Sequence, residues 1–431
     1  MNSSTKTEPD SSIVKRYSNK RVCFRFDGAE LLFDLSLALF SSYDIDSGTK
    51  LLLKAMAQKV DFSSCRNLLD IGCGVGVIGL SAAKRHPHIR VSLQDRDAMA
   101  AAFTRANARL NGLENCSITA DIAFLRLPEK RYDLIVSNLP AKAGTPVLEH
   151  IIENLITHLS GKQESTAAVV VVDPLKKVIE TMITDKGGNI LYSESTKEHT
   201  VYFFRDGDSE TSRKTSTETD SSNSHSLDHK AAYSIPEAYF RTSISPELYK
   251  FSYSLDTVWG LDNFDNPGFL IQLFAQWAVK SEPAHKLLVW NPGQGHIPCI
   301  CYTLWKDMLH ILDLSGRDTL ALAVSAHNLL FKTTSSVFPA ADLTESKEAI
   351  ESERRERYDR IIISLEHIPS VVREEFIWSS AAGLLSSRGE MIMIGKSSDL
   401  HPYSKGEKNF TLGLSRKHKG NRILVFRYNK E

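Results

Sequence analysis

The stretch Leu68-Leu69-Asp70-Ile71-Gly72-Cys73-Gly74-Val75-Gly76-Val77-Ile78-Gly79 constrains the fold more than any other part of the chain. It is a short apolar run that ends in glycines spaced by two and passes into a helix-compatible segment, which predicts a strand, a tight turn and a helix. With no side chains at Gly72, Gly74 and Gly76 the turn is sharp, and a ligand can lie against bare N–H groups at the helix start. A tight turn in any α/β domain also wants glycine, so the loop needs support from residues further along the chain. A second apolar run, Ile89 to Leu93, leads into Asp95. That acid stands roughly twenty residues past the loop, where α/β nucleotide sites bring a carboxylate to the ribose hydroxyls. Asp95 is therefore the candidate ribose ligand.

The chain has 431 residues, 42% of them hydrophobic and 24% charged, which is enough for two domains with full cores and excludes disordered and collagen-like classes. Lys plus Arg and Asp plus Glu both number 52, so no global field draws the protein to nucleic acid and any RNA contact must be local. The six cysteines are scattered and lack zinc spacing. Cys299, Cys301 and His296 are assigned to packing, and no metal is expected. The N-terminus has no apolar signal region, and the longest apolar runs, such as Ala167 to Val172, are far short of the roughly twenty residues that cross a bilayer. The expectation is a cytoplasmic protein with no membrane partner.

Residues 206–232 are dominated by Ser, Thr, Asp, Glu, Lys and His, a composition that cannot offset ordering entropy by burial, and they read as a linker. Across it the chain repeats itself. Leu287-Leu288-Val289-Trp290-Asn291-Pro292-Gly293-Gln294-Gly295 lies over Leu68 to Gly76, with Val289 in place of Asp70 and Asn291 in place of Gly72. Arg96-Asp97 and Asn107 recur as Arg317-Asp318 and Asn328 at the same internal spacing, while the position of Asp95 becomes Gly316. Tyr132-Asp133 and the apolar run behind it recur as Tyr358-Asp359. The expected architecture is two tandem doubly wound α/β domains, Rossmann-like, the second a degenerate copy. Their bounds are 21–205 and 233–431, preceded by a flexible basic arm, 1–20, with Lys15, Arg16 and Lys20, and Arg21 and Arg25 continue the basic run just past it.

The order Asp70-x-Gly72-x-Gly74-x-Gly76 departs from the G-x-G-x-x-G of dinucleotide loops and resembles the class I S-adenosylmethionine (AdoMet)-dependent methyltransferases. The resemblance implies AdoMet as cofactor, with Asp70 ordering the loop and the methionine end, and Asp121 beside the adenine amine. It also fits the closing aromatic strands, Val201 to Arg205 and Ile423 to Arg427, to an antiparallel edge hairpin. Asn138-Leu139-Pro140-Ala141, after the strand Leu134 to Ser137, resembles in part the Asn-Pro-Pro-aromatic motif of enzymes that methylate base or amide nitrogens. Asn138 and Pro140 match it as catalytic residues. Leu139 replaces a proline, and Ala141 replaces the ring that stacks on the target. Phe24 to Phe33 and Leu39 to Leu52 resemble the entry of the small-domain family, which includes tandem-domain ribosomal RNA guanine-N2 methyltransferases. That resemblance implies Phe40 and Asp46 as substrate contacts, Thr49 as a cofactor contact and ribosomal RNA as partner; Asp46 alternatively caps the following helix. The alternatives are a protein amide or small-molecule substrate, and a non-catalytic binding protein on the same fold.

Overall fold

The computed structural model describes residues 9–39, 43–129, 131–207, 234–329, 336–353, 357–366, 368–369, 371 and 373–429. Phe40 and nearly all of the linker lie outside the described residues. Packing divides the chain into two compact units, one of residues 20–95 and 103–238 and one of residues 1–19, 96–102 and 239–431.

After α1 (Pro9–Tyr17), a hairpin of β1 (Lys20–Phe26) and β2 (Ala29–Leu35) turns at Asp27-Gly28, both at positive φ as a two-residue hairpin loop requires. There follow α2 (Ser47–Lys59), β3 (Asn67–Ile71), α3 (Val77–Arg85), β4 (Arg90–Asp95), α4 (Ala98–Leu110), β5 (Cys116–Ala120), β6 (Leu134–Asn138), α5 (Thr145–Thr157), β7 (Thr166–Val172), α6 (Lys176–Asp185), β8 (Gly188–Ser195) and β9 (His199–Asp206). The sheet order is β5-β4-β3-β6-β7-β9-β8. Its first five strands are parallel, β9 runs antiparallel to β7, and the edge strand β8 pairs antiparallel with β9 and so runs with the first five. Covered on both faces, β7 reads as an unbroken apolar run rather than an alternating one. Helix α5 buries Val147, Leu148, Ile151, Ile152, Leu155 and Ile156, the stripe that a 3.6-residue period aligns on one side.

The second half has β10 (Phe240–Ile244), the two-residue strands β11 (Glu247–Leu248) and β12 (Phe251–Ser252), and β13 (Leu255–Val258). Then come α7 (Phe269–Ala278), β14 (Lys286–Trp290), α8 (His296–Trp305), β15 (Ile311–Gly316), α9 (Thr319–Leu329), β16 (Val337–Pro339), α10 (Leu343–Glu353), β17 (Tyr358–Ser364), α11 (Glu374–Leu384), β18 (Leu385–Lys396), β19 (Phe410–His418) and β20 (Asn421–Tyr428). Its sheet order, β16-β15-β14-β17-β18-β20-β19, is the same permutation as the first.

The repeated polar residues hold the repeated frame. Asn107 accepts the Asp34 N–H (2.8 Å) and donates to the carbonyls of Asp34 and Val75; Asn328 accepts the Asp256 N–H (2.7 Å) and donates to the carbonyls of Asp256 and Gln294. Asp97 and Asp318 each accept the N–H two residues on, at 2.9 Å, and so cap α4 and α9. Asp133 takes the N–H groups of Arg66 and Asn67, and Asp359 those of His285 and Lys286, tying the start of the central strand in each sheet.

Residues 9–17, within the segment expected to be a flexible arm, form the helix α1 instead. Ile13 and Tyr17 are buried, and Arg16 pairs with Asp342 at 2.7 Å while lying 4.5 Å from the Phe376 ring centre.

Candidate active site

In the first sheet Gly72 follows β3, Asp95 ends β4, Asp121 follows β5 and Asn138 ends β6. All four stand at the carboxyl ends of parallel strands, the edge where open α/β sheets hold ligands. The N–H groups of Gly72 and Cys73 both donate to the Gln94 carbonyl (2.8 and 3.2 Å), that of Gly74 donates to Asp95 Oδ2 (2.9 Å), and Thr104 Oγ1 donates to the Gly74 carbonyl (2.7 Å). The loop is thus fastened to β4 and α4. At Gly72 and Gly74, with φ of +70° and +58°, an added Cβ would meet nothing within 4 Å. The space in front of these two backbones is open. At Gly76 a Cβ would come within 2.9 Å of Leu80 and Thr104, so close packing of α3 requires that glycine.

Asp70 is fully buried. Its Oδ2 accepts the Gly79 N–H at 2.8 Å, and its Oδ1 has no hydrogen-bond partner. Burial pushes its carboxyl up to about 7, and the charge of Asp95 adds to the rise. The unfolded chain ionises this group near pH 4 and the folded chain only near 7. Its stabilising contribution is therefore present below pH 4 and lost as pH rises through 7. Asp70→Asn keeps an acceptor for Gly79 and removes the cost of ionisation, so calorimetry should show the variant melting roughly 5 °C above the parent at pH 8. The gain should vanish by pH 4; an equal difference at both pH values would contradict the assignment.

Asp121 accepts the Ile122 N–H with Oδ1 (2.8 Å), and its Oδ2 takes Arg126 (2.8 Å). Burial raises its carboxyl and Arg126 opposes the rise. Arg126 was not legible as a site neighbour, because it follows a loop whose Phe124 and Arg126 adopt positive φ. Asn138 Nδ2 lies 3.3 Å from both Asp46 Oδ1 and Thr49 Oγ1 and donates to them. Asp46 also caps α2 through the Thr49 N–H (2.9 Å). No described residue donates to Asn138 Oδ1, which leaves that oxygen as an acceptor for an incoming N–H. Leu139 is buried and its N–H binds the Val170 carbonyl (3.0 Å), whereas Pro140 and Ala141 are exposed. The structure therefore brings Asn138, Asp46 and Thr49 into one cluster.

A family model described as the methyltransferase small domain matches residues 30–203. Residues 30–203 are therefore similar to the methyltransferase small domain. The ribosomal RNA small subunit methyltransferase C of Actinobacillus pleuropneumoniae serotype 7 is 36% identical over 140 residues, covering 30% of this chain and 41% of its own length. The Haemophilus ducreyi protein of the same name is 35% identical over 138 residues, with 31% and 41% covered. The chain thus spans about two fifths of the length of these relatives. Over 96% of the chain, and all of the other, it superposes at a TM-score of 0.61 and 14% identity on a T. thermophilus 16S rRNA N2 G1207 methyltransferase solved with AdoMet and guanosine. That likeness shows a shared tandem fold.

In the second half of the chain, the copy of the glycine loop is closed. A Cβ at Gly316 would lie 2.6 Å from Asn291 Oδ1, so the asparagine in place of Gly72 and the glycine in place of Asp95 require one another. The groove beside them, lined among others by Tyr17, Trp290, Asn291, Asp342 and Phe376, keeps only about 40 Å³. Small-molecule sites occupy roughly 300–1,000 Å³. Calorimetric titration should accordingly count one AdoMet per chain, and a stoichiometry of two would contradict this reading. His296 bonds Tyr253 Oη (2.8 Å) and the Asn263 carbonyl (2.9 Å), and Cys299 and Cys301 are buried, so all three serve packing. No group of three metal-ligating side chains occurs among the described residues, and no described helix is long and apolar enough to cross a membrane.

Proposed function

We propose that this protein is an AdoMet-dependent N-methyltransferase acting on the exocyclic amine of a guanine in ribosomal RNA, in the cytoplasm. The observation that carries this reading is Asn138, whose amide donors are held by Asp46 and Thr49 at the carboxyl end of β6. The base amine is conjugated with its ring and is a poor nucleophile. Accepting its hydrogens at Asn138 Oδ1 and at a backbone carbonyl of the adjoining turn aims the lone pair and stabilises positive charge as it develops. No strong general base is needed.

The residues fit the cofactor. Gly72 and Gly74 offer open backbone, and Asp70 holds an unmatched buried oxygen beneath the loop, suited to a cationic amine. Asp95 stands at the lip as ribose ligand and Asp121 beside the adenine. When bound, AdoMet supplies an electrophilic methyl group on its sulfonium. A base in a duplex has to leave its stack to reach this edge, as in other enzymes that act on bases. The named relatives act on small-subunit ribosomal RNA, and the structural neighbour holds guanosine. Labelled AdoMet and unmodified small-subunit RNA test the reading: label recovered as methylguanosine supports it, and label only in protein or in no product overturns it.

A further inference from the structure

The hairpin of β19 and β20 carries Arg416, Lys417, His418 and Lys419 in sequence, with no acid between Phe410 and Tyr428. Lys417, His418 and Lys419 are exposed, and among the described residues no carboxylate pairs with Arg416, Lys417 or Lys419. By contrast, Arg16, Arg21 and Arg25 near the N-terminus are each paired with a carboxylate. The tip stands at a definite place. Lys396, the exposed last residue of β18, is opposite Asn421, and the Ser397 N–H donates to the Gly420 carbonyl. The basic tip therefore lies at the carboxyl end of the second sheet.

Beside it is Phe269, at the start of α7, 44% exposed. Lys419 Nζ lies 4.2 Å from its ring centre, and the His418 ring is 6.0 Å away, edge to face. The corresponding tip of the first sheet, between β8 and β9, reads Thr196-Lys197-Glu198 and has Glu194 beside it. Of two copies of one hairpin, this one alone has shed its acids. A run of unpaired cations around an exposed ring matches a phosphate backbone with a base free to stack.

We propose that the β19–β20 tip, with Phe269, is an RNA-docking surface that holds phosphates through Arg416, Lys417 and Lys419 and stacks an unpaired base on the ring. This rests on the methyltransferase reading for its substrate class, yet it fails or stands separately. The test compares the full-length chain with the triple variant Arg416→Gln, Lys417→Gln, Lys419→Gln, and with Phe269→Leu. The probes are a fluorescein-labelled RNA stem-loop, an oligoglutamate of matched charge and phosphatidylserine vesicles.

The triple variant should bind RNA at least about tenfold more weakly, with the slope of log affinity against log salt shallower by about two to three. Phe269→Leu should weaken RNA binding with the salt slope unchanged, and AdoMet titration should match the parent in both variants. Equal RNA binding by parent and triple variant overturns the docking surface and leaves the methyltransferase reading intact. Losses for oligoglutamate or vesicles as large as for RNA overturn the choice of partner. A parent that binds no RNA overturns the docking surface, and the transfer of label to small-subunit RNA decides the methyltransferase reading independently.

Discussion

Asn138→Ala is expected to lower kcat for methyl transfer to RNA by about 10²–10³-fold while AdoMet binds as before, the size of effect seen when one polar group aimed at developing charge is removed. The expectation rests on geometry. Asn138 ends β6, and its Nδ2 is committed to Asp46 and Thr49, so its Oδ1 is the part left for the substrate amine. Asp46→Ala should reproduce a smaller part of the loss, because it frees the amide to rotate and also removes the cap of α2. Single-turnover rates separate this from a binding defect: the chemical step falls and the AdoMet dissociation constant does not. An Asn138→Ala protein that transfers methyl groups at the parental rate would remove Asn138 from the chemistry.

Asp95→Ala is expected to weaken AdoMet binding by about 10- to 100-fold, the range for losing a hydrogen bond to a charged group. The aspartate has two tasks. Its Oδ2 fixes the Gly74 N–H, and under the proposed function its carboxylate is the ligand of the ribose hydroxyls. Asp95→Asn retains an acceptor for Gly74 and should recover part of the affinity, which a general collapse of the loop would not allow. Calorimetric titration of the three proteins checks this, and identical dissociation constants would refute the assignment.

Much of the fold was legible because the repeated residues are those that build it. Asn107 and Asn328, Asp97 and Asp318, and Asp133 and Asp359 satisfy the same backbone groups in each half; the matched spacing of the first two pairs and the recurrence of Tyr132-Asp133 as Tyr358-Asp359 foretold two sheets of one topology. The glycine loop and Asp95 were legible for the same reason, since strand ends and tight turns fix where side chains can stand. The neighbours were not. Family resemblance implies Thr49 as a cofactor contact and Asp46 as a substrate contact or a helix cap; the structure shows the cap and adds the bond of both to Asn138, which is 89 residues from Thr49 in the chain. Helix α1 escaped notice because a short segment rich in Lys, Arg and Ser has the composition of a solvated tail. Only the packing of Ile13 and Tyr17, with the Arg16–Asp342 pair, makes it part of a unit.

Methyl transfer at the first glycine loop is the central claim. The most direct measurement is the transfer of label from AdoMet to small-subunit ribosomal RNA by the parent and by Asn138→Ala, with the product nucleoside identified by mass spectrometry. The parent should yield guanosine carrying one added methyl group on its exocyclic amine, and the variant should form it at about a hundredth of that rate or less. Label on another nucleoside, or AdoMet binding with no transfer to RNA, would contradict the claim.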